Sequence, residues 1–322
     1  MADAVKPAPA RARRTVVAVA LCLVCACAAS RAWPTDRARI AFSGGPASAL
    51  LNIYVTNPDG AAFEKLTVSD ISNRYPAWSP NGATIAFSSG RDPFDERLYL
   101  MGADGRDQRA ISDGAGDWGA SWSPDGAAIA FTSRRLGKDV SGVYVAYLES
   151  GLQTRLTDPE TASYQPSWAL SGRVIAYDSY RGGFNHLHLM DNKGRHLTQL
   201  TDLETVDTSA SWHPDEDLLV FHRWNSIDAD GIYTMKSDGS DERRVTEHPS
   251  RNADPIWSPD GKEILFKSKR DGHDALYITG RNGGAIRRVT DERFMCIWGA
   301  SWFDPAFPRS VSPVGRHATT WG

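Results

Sequence analysis

Cysteine is nearly absent from the body of this 322-residue chain: Cys22, Cys25 and Cys27 sit near the N-terminus, and only Cys296 lies in the remainder. A folded part with one thiol can form no internal disulfide, so its stability has to come from packing. Basic runs are missing too. Without residues 1–26 the chain has 32 basic and 38 acidic side chains, a net charge of −6, which argues against a nucleic-acid partner. The one long apolar stretch, Thr15–Ala26, is too short to remain in a bilayer as a spanning helix. Catalytic signatures are also lacking, with no Gly-x-Ser-x-Gly, His-Glu-x-x-His or phosphate-loop pattern.

Tryptophan is what the chain has instead. Trp78, Trp122, Trp168, Trp212, Trp257 and Trp302 recur at spacings of 44, 46, 44, 45 and 45 residues. A period of this size, filled with short β-runs, is the signature of a propeller blade, a sheet that must stack on its neighbours to bury both faces. The tryptophan leads into a turn (Trp78-Ser-Pro-Asn-Gly82, Trp122-Ser-Pro-Asp-Gly126, Trp257-Ser-Pro-Asp-Gly261) in which proline presets φ and glycine takes the positive-φ position. An apolar triplet follows, such as Ile85-Ala-Phe87 or Ile129-Ala-Phe131. Next come a run like Leu98-Tyr-Leu100, a second turn like Asp104-Gly105, and an ending in Leu66-Thr67 or Val289-Thr290. Runs that are apolar on both faces suit a sheet sandwiched between two others.

The first unit begins at its second strand, and the missing tryptophan strand occurs only at the far end, Ala300-Ser-Trp302. A blade assembled from both termini leaves no open edge. The expectation is therefore an all-β, six-bladed propeller closed by a blade shared between N- and C-terminal strands. Its parts are an export signal (1–26), a linker (27–38), the propeller (39–303) and a C-terminal tail (304–322).

The combination Trp-Ser-Pro-Asp-Gly, Ile-Ala-Phe, Ser-x-Arg-Asp, Ile-Tyr and Leu-Thr resembles the repeat of TolB-type six-bladed propellers from Arg39 to Trp302. The resemblance implies the fold and a periplasmic habitat, in a repeat family that spans interaction scaffolds, peptidase-associated propellers and a few lyases. TolB itself carries an α/β domain ahead of its propeller. Only the segment 27–38 stands between the export signal and the first strand here, so that domain is expected to be absent.

Arg11, Arg13 and Arg14 before the apolar stretch read as a signal peptide. Its end, Leu23-Val-Cys-Ala-Cys27, resembles a lipobox, which makes Cys27 an acylated first residue and ties the propeller to a membrane. Ala26-Cys-Ala28 also fits ordinary cleavage.

Several motifs carry a bland reading more readily than a chemical one. Gly114-x-Gly-x-x-Gly119 has dinucleotide spacing but no helix after it, and Asp228-Ala-Asp230-Gly231 lacks the later ligands of a calcium loop. His186 and His188 share a strand face, as two metal ligands could, yet His188 fills the slot of Tyr54, Tyr99, Tyr144, Tyr233 and Tyr277. Arg91, Arg135, Arg181 and Arg270, each thirteen residues after its tryptophan, point to a repeated structural fork. No cofactor and no metal are expected.

Variation at equivalent positions is more telling. The tryptophan strand is expected to be innermost, with the residues three to five before it lining the channel mouth: Asn73, Arg74, Tyr75, Asp117, Trp118, Tyr164, Gln165, Asp207, Thr208, Asn252, Asp254 and Trp298, with Cys296 beyond. From these, the candidate ligand-binding set is Arg74, Tyr75, Asp117, Trp118, Tyr164, Gln165, Asp207, Asn252, Asp254 and Trp298. A rim that mixes aromatic, amide and charged groups suits a protein segment, a peptide or a glycan. The favoured reading is a monomeric, non-enzymatic envelope module. The alternative is a small hydrolase or lyase using Asp117, Asp207 and Asp254 as acid and base, which requires a carboxylate pair roughly 5–10 Å apart.

Overall fold

The computed structural model describes residues 37–307, apart from 47–49, 93, 115, 138–139, 203, 225–229 and 248–249. The signal, the lipobox with Cys27 and most of the tail lie outside the described residues. Six four-stranded antiparallel sheets form the blades. Their innermost strands are Cys296–Phe303 in blade one, Ser72–Trp78 in two, Asp117–Trp122 in three, Ser163–Trp168 in four, Val206–Trp212 in five and Asn252–Trp257 in six.

Closure is as expected. Cys296–Phe303 pairs antiparallel with Arg39–Gly45, setting Ile40 opposite Trp302 and Arg39 opposite Phe303. In this shared sheet Ile40 and Phe42 pack against Leu265, Leu276 and Ile278 of blade six, while Ala41, Ile53 and Val55 pack against Trp78, Ile85 and Phe87 of blade two. Alternate residues thus serve opposite neighbours, and each fully buried aliphatic or phenyl group contributes about 1.5–3 kcal/mol. Leaving either half of the blade out would strip two interfaces.

The repeated polar residues are explained by hydrogen bonds. In the first turn Ser79 Oγ donates to Asn81 Oδ1 (2.8 Å) and accepts from Thr84 N (3.0 Å). The final Thr or Ser of each unit returns to the third strand of its blade: Thr67, Ser112, Thr157, Thr201, Thr246 and Thr290 Oγ accept from the backbone N of Ile53, Leu98, Val143, Leu187, Ile232 and Leu276 at 2.9–3.1 Å. Gly105 in the second turn has φ of +81°, and a Cβ there would lie 2.6 Å from Leu66 O of the preceding blade, so no larger residue fits.

Candidate functional site: two ends of one channel

Each innermost strand contains the same irregularity. The residue three before the tryptophan has positive φ in every blade: Tyr75, Gly119, Gln165, Ser209, Asp254 and Gly299, with φ from 50° to 71°. In blade two Arg74 pairs with Ser88 and Ala77 with Ala86, so Tyr75 and Pro76 both stand opposite Phe87. This is a β-bulge, which breaks strict alternation and re-aims a side chain. The three positions expected to share one mouth are thereby separated.

The first position, five before the tryptophan, turns into the blade. Asp117 is fully buried and accepts from Arg135 (3.0 Å). Asp207, also fully buried, takes two hydrogen bonds from Arg223 (2.7 and 3.0 Å), and Asn252 accepts from Arg270 (3.0 Å). The guanidiniums stack on aromatic rings behind them: Arg135 on Tyr144, Arg223 on Tyr233 and Arg270 on Tyr277. The repeated arginine fork is therefore real in blades three and six, within one blade. Arg223, eleven residues after Trp212, performs it in blade five, while Arg91 and Arg181 are exposed. Two of the three carboxylates named for acid–base work are thus bound to arginine and shut away from the channel.

Position four before the tryptophan does face the mouth, with Arg74, Trp118, Tyr164 and Trp298. Tyr75 joins them: its ring lies 5.2 Å from Trp118 and 6.1 Å from Trp298, and Trp118 lies 6.4 Å from Tyr164. Arg74 hydrogen-bonds Glu96, whose carboxyl burial pushes up despite that partner. Around this aromatic arc five blades expose a large apolar residue at the end of the second strand or in the segment that joins it to the third: Leu50, Phe94, Leu136, Tyr180 and Trp224. Blade six has Asp271 and His273 there instead.

Opposite the arc, blades four to six close the waist with polar groups. Ser209 Oγ lies 2.6 Å from Gln165 Oε1 and 3.1 Å from Asp254 Oδ1, holding one proton between two acceptors. Lys267 Nζ reaches Asp254 Oδ2 at 2.8 Å and lies 5.9 Å from the Trp298 ring. Burial raises the Asp254 carboxyl, but Lys267 outweighs it and holds the group below the usual carboxylate range. Asp178, which accepts from Ser209 N (3.2 Å), is pushed well above that range by burial, with Asp254 and Asp207 adding to the effect. Asp178, Lys267 and Ser209 were not legible from the repeat.

On the other side of the waist the channel widens into a cavity of about 240 Å³. Its wall includes the six repeated tryptophans, its lining continues to Tyr75 and Trp118 at the waist, and its rim includes Pro80, Pro124, Leu170, Pro214, Pro259 and Phe307. The expected mouth is thus one end of the channel, and the measurable cavity is the other.

His188 packs on Tyr177 (ring centroids 5.5 Å apart), and among the described residues no three metal-ligating side chains cluster. Gly119 of the dinucleotide-like run is a waist residue within a strand, and Asp230 of the calcium-like run contacts His222 at 3.1 Å.

Comparisons agree with the architecture. The TolB beta propeller domain matches residues 25–226 and 224–302. A TolB homolog of Chlorobium luteolum is 28% identical over 145 residues, 45% of this chain and 33% of that protein. An uncharacterized peptidase of Bacillus subtilis is 29% identical over 38% of this chain and 22% of its own length. The chain therefore spans a third or less of these relatives. The crystal structure of TolB from Acinetobacter baumannii superposes with a TM-score of 0.72 at 19% identity, covering 84% of this chain and 67% of that one, a likeness of fold.

Proposed function

The chain belongs to the TolB beta propeller family, and on that premise we propose that it is a non-enzymatic binding module of the bacterial cell envelope. Its binding surface is the aromatic mouth, and its partner is a protein that inserts a segment there. The observation that carries this reading is the pairing of an aromatic arc (Trp298, Tyr75, Trp118, Tyr164) with a surrounding crown of exposed apolar side chains. Aromatic anchors ringed by apolar contacts are how interfaces concentrate binding energy. The hydrolase or lyase alternative loses support because Asp117 and Asp207 are locked beneath Arg135 and Arg223.

Lipid attachment at Cys27 and a periplasmic location belong to the same proposal. Arg39 pairs with Phe303, so the chain enters the propeller on the face opposite the aromatic mouth. Mass spectrometry of the mature N-terminus tests the anchor: an unmodified terminus at Ala29 would remove it.

The binding reading is tested by placing a photo-crosslinker at Trp298, identifying what it captures from envelope preparations, and titrating that partner. Trp118→Ala and Trp298→Ala should each weaken it by about 1–3 kcal/mol. Unchanged affinity in both variants, or capture of glycan alone, would refute a protein-docking mouth.

A further inference from the structure

The cavity opens on the far side of the waist from the aromatic mouth and reaches it at Tyr75 and Trp118, beside the Gln165–Ser209–Asp254 group. We infer that it is the docking site of this chain's own C-terminal segment, residues 308–322, seated by Trp321 and one of its arginines. Four observations converge on that occupant.

Position comes first. Five blades turn back at Ser-Pro or its equivalent after the tryptophan, but blade one has its next strand at the N-terminus. The chain therefore runs on past Trp302, and Phe303, Asp304 and Phe307 become part of the cavity wall. A turn in which Ala306 N donates to Asp304 Oδ1 (2.9 Å) leaves Phe307 half exposed on the rim. The segment begins where the cavity opens.

Charge is the second. No lysine or arginine lines the cavity; Asp254 is paired with Lys267, and Arg39 stacks on Trp78 and Phe303 of the wall, so the carboxylate without a basic side chain among its ion pairs is Asp304. The cavity's one histidine is fully engaged: His213 Nε2 meets Gly261 O at 3.1 Å, and Nδ1 accepts from Asp215 and Glu216 N. Residues 308–322 contain Arg309, Arg316 and His317 and no acidic side chain. Third, walls of tryptophan and proline favour stacking of guanidinium and indole groups. Fourth, about 240 Å³ is smaller than sites for whole drug-sized ligands and suits one or two side chains. Fifteen residues reach about 50 Å when extended, ample for doubling back, and a tethered ligand acts at a millimolar effective concentration.

The test uses the full chain carrying Cys22→Ser, Cys25→Ser, Cys27→Ser, Cys296→Ser and Thr320→Cys, which keeps Trp321. One version adds Leu170→Cys on the cavity rim, and the other adds Leu197→Cys, exposed at the outer edge of the same blade on the same face. Under mild oxidation the Leu170→Cys version should close its intramolecular disulfide about tenfold faster or more. Equal rates overturn the proposal. Independently, a synthetic peptide of residues 308–322 should bind the Arg309→Glu/Arg316→Glu chain about tenfold more tightly than the unaltered chain, whose own segment competes. A peptide that binds neither, or both equally, also overturns it.

Discussion

Blades one to three place Gly299, Tyr75 and Gly119 at the waist, whereas blades four to six place Gln165, Ser209 and Asp254 there, with the same left-handed backbone. That conformation ordinarily costs a non-glycine residue about 1–2 kcal/mol, yet four different side chains accept it. The convergence of six innermost strands imposes the backbone, and the side chain is left free to differ. The first half uses that freedom to stack rings: glycine on both sides of Tyr75 lets Trp298 and Trp118 close on it. The second half uses it to build a polar plate held by Lys267 and Asp178. Packing positions repeat; positions facing the channel diverge.

The contrast between repeated and divergent positions breaks most sharply at tryptophan. Trp257, fully buried against His213 with ring centroids 4.7 Å apart, should cost about 3–5 kcal/mol of stability when changed to alanine. Trp298→Ala, at a half-exposed mouth residue, should cost less than about 1 kcal/mol. Denaturant unfolding of the two variants measures the difference, and similar losses would erase the distinction between core and mouth.

A finer test lies between the two waist glycines. Alanine at either one must adopt positive φ, a cost of about 1–2 kcal/mol. At Gly119 a Cβ meets only Thr132 Oγ1 at 3.9 Å, but at Gly299 it would lie 3.0 Å from both Cα and Cδ1 of Tyr75. Gly299→Ala should therefore lose more stability than Gly119→Ala and should also disturb the stacking of Tyr75 on Trp118, visible as a change in near-ultraviolet circular dichroism. Equal losses would mean the aromatic half is looser than its contacts imply.

The tryptophan spacing was enough to place every innermost strand and the shared blade, because packing between sheets demands the same residues in each repeat. The waist left no such trace. Tyr75, Gln165, Ser209 and Asp254 are unlike one another, and none announces positive φ as glycine does at Gly119 and Gly299. Without the bulge, simple alternation put Asp117, Asp207 and Asn252 in the channel, whereas it turns them under arginines. Arg223 breaks the spacing, lying eleven rather than thirteen residues after its tryptophan, although its guanidinium ends on the equivalent aspartate. The cavity was invisible for another reason: its walls are the repeat itself, and only the missing return turn of blade one marks it.

The effect that is smallest at low pH and grows as pH rises should come from the polar half, at Asp178. Burial raises its carboxyl well above the ordinary value, with Asp254 and Asp207 reinforcing the shift, so the folded state retains a proton that the unfolded chain releases. A raised folded value means that this contribution to stability is fully present below the ordinary carboxylate range. It fades as pH climbs through the folded value, because the folded protein then binds more protons than the unfolded one. Asp178→Asn keeps the shape and the acceptor for Ser209 N while removing the titration. Near pH 4 the variant should match the unaltered protein within about 0.5 kcal/mol, and as pH rises it should become progressively the more stable of the two. Parallel stability profiles from pH 4 to 9 would show that Asp178 is ionised at the waist, and the polar plate would then have to accommodate a second carboxylate charge beside Asp254.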